Sequence, residues 1–166
     1  MKRFVCTTLL LGLTVLTALA QTPDLSDVFE GKVVAKEEMV ETFLGGSRLE
    51  PYHLSMFHSV KFAATDAEAA QVAAAVLEDF DQAVEKETVY ASGKLVYAIL
   101  VFAEKERDLL IGPVVKIDKY TYNRFVCYQL TEGDGGRQMV TLVEMKGTAE
   151  LEDLKAIFAP ANNDND

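Results

Sequence analysis

Asn123-Arg-Phe-Val-Cys-Tyr-Gln-Leu130, then Thr131-Glu-Gly-Asp-Gly-Gly-Arg137, then Gln138-Met-Val-Thr-Leu-Val-Glu-Met145 is the stretch whose reading decides the fold. In its first run Val126, Tyr128 and Leu130 alternate with Phe125, Cys127 and Gln129, the two-residue period of a strand. The break holds three glycines tolerant of positive φ, so the two runs read as a β-hairpin. The second run has apolar residues on both faces and does not declare its core side. Gly147 lets the chain turn, and Thr148 is expected to cap a short helix. Leu151, Leu154, Ile157 and Phe158 form its stripe, and Pro160 stops it.

Working outward, Leu95-Val-Tyr-Ala-Ile-Leu-Val-Phe102 is apolar on both faces and belongs in the middle of a sheet. Ala91-Ser-Gly-Lys94 joins it to Thr88-Val-Tyr90 as a second hairpin. Leu54, Met56, His58 and Val60 fall on one face of a further strand. Met39-Val-Glu-Thr-Phe-Leu44 reads as another, ended by Gly45-Gly46, and Val114-Val-Lys-Ile117, after Pro113, reads as an edge strand. Asp24 caps a short helical turn through Phe29. The best helix runs from Thr65 to Lys86: Thr65-Asp-Ala-Glu68 is a capping box, and Val72, Val76, Phe80 and Val84 recur at helical steps. The fold class is therefore α+β, a largely antiparallel sheet of about five strands with two helices packed on one face.

The N-terminus carries a different message. Lys2 and Arg3 precede an uncharged, mostly apolar run, and Ala18-Leu-Ala20 offers small residues before a cut. These are the three parts of a secretory signal peptide, and the apolar run is shorter than the roughly 20 residues a spanning helix needs. Residues 1–20 are expected to be removed, residues 21–160 to form one domain, and the acidic tail 161–166 to be disordered. No membrane span then remains. Cleavage removes Cys6 and leaves Cys127 alone, which excludes a disulfide framework. It also removes two of the 16 basic residues against 26 acidic ones, moving the net charge from −10 to −12. A charge of that sign disfavours nucleic acid and anionic membrane surfaces.

Glu50-Pro-Tyr-His-Leu-Ser-Met-Phe-His-Ser59, Asn123-Arg-Phe-Val-Cys-Tyr128, and Val140-Thr-Leu-Val-Glu-Met-Lys-Gly147 with Leu151-Glu-Asp-Leu154, behind an N-terminal signal, resemble small exported proteins of Bacteroidota catalogued as domains of unknown function. The resemblance covers most of the mature chain. It implies an envelope or extracellular protein and carries no catalytic residue.

Residue chemistry assigns no catalytic, cofactor-binding or metal-ligating residue. His53 and His58 stand five apart and would face opposite sides of a strand, and the His-Glu-x-x-His spacing is absent. Cys127 lies in a strand without a helix N-terminus or cation beside it in sequence, the setting of a packing residue. Gly133-Asp-Gly-Gly136 lacks the Lys-Ser/Thr ending of a phosphate loop and reads as a turn. Tyr120, Tyr122 and Tyr128 could line a groove, although strand propensity accounts for them. The reading that follows is an exported, uncharacterised, non-enzymatic module binding an unknown protein or small ligand. The alternative is a small hydrolase using carboxylates such as Glu144. An exposed apolar patch favours the first, and Glu144 turned into a cleft favours the second.

Overall fold

The computed structural model describes residues 23–103 and 122–158. The expected signal segment 1–20, the charge run 104–108, the expected edge strand 114–117, Tyr120 and the tail 161–166 lie outside the described residues.

The chain runs through α1 (Leu25–Phe29), β1 (Val40–Gly45), β2 (Leu54–Ala64), α2 (Asp66–Glu78), β3 (Glu85–Ala91), β4 (Lys94–Ala103), β5 (Asn123–Glu132), β6 (Gln138–Gly147) and α3 (Leu151–Phe158). The six strands form one sheet in the order β1-β2-β6-β5-β4-β3, every neighbour antiparallel. Among the described residues the sheet thus has six strands rather than about five. The two edge strands are short and weakly patterned, and pairing to β2 and β4 is what makes them strands. The β5–β6 hairpin lies at the centre, with Tyr128 opposite Leu142. Its turn uses Gly135 and Gly136 at φ 67° and 77°. Ser92 and Gly93, at φ 51° and 78°, form the two-residue turn between β3 and β4, matching the strand twist.

Alternation along the central strands supplies two cores. Val126, Tyr128, Leu100, Leu142 and Val60 face one way and are covered by α1 and α2. Phe125, Cys127, Ile99, Val143 and Met145 face the other way and are covered by α3 through Leu154. The two helices expected on one face therefore lie on opposite faces. A sheet whose middle strands are apolar on both sides must be covered on both.

The capping box at Thr65 forms: the Thr65 N–H donates to Glu68 Oε2 at 2.7 Å and holds that carboxyl below the usual range. Ala69 and Ala75 are buried along with Val72 and Val76, and small residues on that face let the helix lie close on the sheet. α2 ends at Glu78, well short of Lys86. Phe80 sits in a short 3-10 turn under the Lys86 ammonium, 4.1 Å from its ring centroid, and Val84 is 62% exposed. Residues from Glu85 onward pair with β4, Glu85 opposite Val101, and that non-local ladder outweighs the local helical period. In β2 a register shift between Leu54 and Met56 sends Leu54 to the α3 side, away from Val60. Pro51 lies within a 3-10 turn, Gly46–Tyr52. In α3, Ile157 is exposed, outside the stripe assigned to it.

Candidate functional site

His58 is a meeting point on the α1/α2 face. Its Nε2 lies 2.7 Å from Glu41 Oε1 on β1, and its ring stacks on Phe29 of α1 with centroids 4.4 Å apart. Phe43 of β1 meets the same ring edge-on at 5.6 Å. The hydrogen bond from His58 holds the Glu41 carboxyl below the usual range, helped by Lys36, whose Nζ is 3.9 Å away. His53, expected on the other side of this strand, is not in a strand. It closes the preceding 3-10 turn at φ 55°, exposed, and the structure does not bring the two histidines together.

Across the sheet from His58 stands Glu144. It is half-buried and answers to Arg124, whose guanidinium lies 3.5 Å from it, 3.6 Å from Asp79 and over the Phe102 ring at 4.5 Å. This is an ion-pair chain closing the end of α2. A cleft of about 420 Å³ lies on the other face, between Glu85, Val101, Phe125 and the Thr148–Glu152 segment. Glu144 pairs with Val126, whose side chain points away from that cleft, so the carboxylate singled out for hydrolysis does not reach it. The cleft's wall is fixed by the His53 carbonyl, which accepts from the Thr148 and Ala149 N–H groups. Among the described residues no group of three or more His, Cys, Asp or Glu gathers as a metal would require.

Cys127 is buried in the α3-side core, and burial pushes its thiol up to about 12. Such a thiol is a packing group. Tyr128 is buried under α2 while Tyr122 is exposed, so these two do not share a groove.

The remaining surface is the edge strand β1. All six of its residues are exposed, with Val40 at 69%, Phe43 at 67% and Leu44 at 37%. Glu41 and Phe43 lie opposite Val60 and His58, while Val40 and Leu44 project to the other face beside Lys61 and Phe57. The opposite edge, β3, differs: Glu85, Lys86 and Glu87 line its first half, and Glu87 is engaged by Lys155 of α3 at 2.8 Å. Charges on an edge discourage pairing, and β1 has only Glu41, already held by His58. Sequence reading found this strand but not its role, because Val40, Phe43 and Leu44 show no two-residue period and the contact to His58 spans 17 positions.

These features define an α+β protein with one antiparallel sheet, helices on both faces and one apolar edge left open among the described residues. The chain belongs to a family of unknown function, DUF6108, whose model matches residues 13–158. No curated protein and no solved structure matches the chain. Among the described residues no helix is long and apolar enough to cross a membrane.

Proposed function

We propose that this protein is an exported, non-enzymatic binding module that receives an extended segment of a partner protein along the outer edge of β1. The observation that carries the reading is that edge: six exposed residues, two large apolar side chains about two-thirds uncovered, and no described strand beyond it. A strand edge offers a row of backbone donors and acceptors to any extended chain, and the side chains on either face choose which chain fits. Val40 and Leu44 suit apolar partners on one face, and Phe43 does so on the other. The net charge of −12 that remains once Lys2 and Arg3 leave with residues 1–20 favours a neutral or basic segment. Export rests on the basic start, apolar run and Ala18-Leu-Ala20 of the N-terminus, and places the activity in the periplasm or outside the cell. The hydrolase reading gains no support, since Arg124 holds Glu144 on the face away from the cleft.

A photo-crosslinking residue placed at Phe43 in the exported full-length chain tests this, with the same residue at Tyr90 on β3 as control. Capture of a defined partner from Phe43 alone, lost when Val40 and Leu44 are changed to Lys, is the expected result. No capture, or the same captured set from both edges, refutes the reading.

A further inference from the structure

We infer that β1 pairs with the β1 of a second copy of this chain, and that this weak antiparallel dimer covers the docking edge until a partner segment displaces it. The displacement rests on the function proposed above; the self-pairing does not. Two copies related by a two-fold axis perpendicular to their sheets meet antiparallel, with one residue opposite its own counterpart. The sequence of β1 chooses among the possible centres. Centred on Glu41, two carboxylates would stand face to face, and like charges directly opposite are destabilising. Centred on Phe43, Leu44 falls opposite Thr42, Glu41 opposite Gly45, and Val40 runs past the end of the strand. Centred on Thr42, Val40 of each copy lies opposite Leu44 of the other, Thr42 meets Thr42, and Glu41 lies opposite Phe43.

The neighbours on β2 extend the match made by the Thr42 centre. On the α3 side Leu44 lies opposite Phe57, so Phe57, Leu44 and the other copy's Val40 form one apolar row, and the two-fold axis repeats it. On the other face Phe43 meets His58 edge-on. There the two Phe43 residues become diagonal neighbours across the axis, about 7–8 Å apart and within aromatic reach. Glu41, the one charge on the strand, is turned to its own His58 at 2.7 Å and to Lys36 at 3.9 Å, which draws each carboxylate back onto its own copy.

Size and charge set the strength. An edge of six residues falls short of the roughly 1,200 Å² at which stable specific interfaces begin, so the dimer is transient. Each copy also carries a net charge of −12 once residues 1–20 are removed, and two such copies repel. Salt screens that repulsion, so the dimer tightens as ionic strength rises. A neutral or basic segment meets the same edge without the repulsion, and this is what lets it displace the second copy.

Cysteine pairing in the exported full-length chain reads the register without a partner, and Cys127 is buried and does not compete. Thr42→Cys should form a disulfide-linked dimer under mild oxidation, because this residue meets its own counterpart. Val40→Cys alone should not, and should link instead when mixed with Leu44→Cys. Sedimentation of the wild type should show an average mass that rises with concentration, more steeply at higher salt. Phe43→Lys should weaken this association about tenfold. A wild type that stays monomeric at every concentration overturns the inference. So does equal linking of Thr42→Cys and of Val40→Cys alone. A photo-crosslink from Phe43 that captures only a second copy supports the self-pairing and refutes the partner reading. A strictly monomeric chain leaves the docking edge standing, so the two readings fail separately.

Discussion

Gly147 stands against the backbone of His53 with no room for a side chain: a Cβ at that position would meet the His53 carbonyl oxygen and lie 2.7 Å from the Leu54 Cα. The next two residues, Thr148 and Ala149, donate to the same carbonyl at 2.8 and 3.1 Å. One bare Cα thus lets the β6 end, the β2 start and the approach to α3 close on each other. Gly147→Ala should cost about 1–3 kcal/mol in urea unfolding, because the neighbours that must shift are backbone atoms. A variant as stable as the wild type would show that the corner opens without penalty.

Tyr97 and Tyr128 both bury hydroxyls that find no hydrogen-bond partner among the described residues, on opposite faces of the sheet. Burial pushes the Tyr128 phenol up to about 12. An unpaired buried hydroxyl has lost water and gained nothing in return. Tyr128→Phe should leave stability unchanged or raise it by up to about 2 kcal/mol. A thermal melt showing a clear loss would mean that the hydroxyl has a partner after all.

Val76 and Val84 lie eight residues apart and would share a face of one long helix. Val76 is fully buried on α2, whereas Val84 is beyond its end and exposed. Val76→Ala should cost about 1–3 kcal/mol, and Val84→Ala should stay within about 0.5 kcal/mol. Equal costs would restore the helix through Lys86.

Cys127 should resist alkylation by iodoacetamide near neutral pH while the domain is folded, since its thiol is buried and pushed up to about 12. Labelling should track global unfolding in denaturant. Rapid labelling of the folded protein would place the thiol at an accessible, activated position.

Export predicts a mature chain beginning at Gln21, without a lipid, because the apolar run is short and ends in Ala18-Leu-Ala20. Intact-mass measurement on the exported protein checks it; retention of residues 1–20 or an added acyl mass would contradict it.

Local chemistry determined a good part of this molecule from sequence alone. The Thr65–Glu68 box starts α2, Ser92-Gly93 turns β3 into β4, and the glycines after Thr131 turn β5 into β6, because each depends on a few neighbouring residues and on which of them tolerate positive φ. The two-faced apolar pattern of β4 and β6 was equally legible. What only the tertiary structure decided was everything that depends on residues distant in sequence. Pairing with β4 took Glu85 and Lys86 away from the helix, and the shift after Leu54 moved that side chain to the other core. Two apolar sheet faces drew α2 and α3 to opposite sides. The His58–Glu41 contact and the open edge of β1 belong to the same class: whether a strand is central or terminal is a property of its partners, and no pattern within Val40–Gly45 records which partners it has.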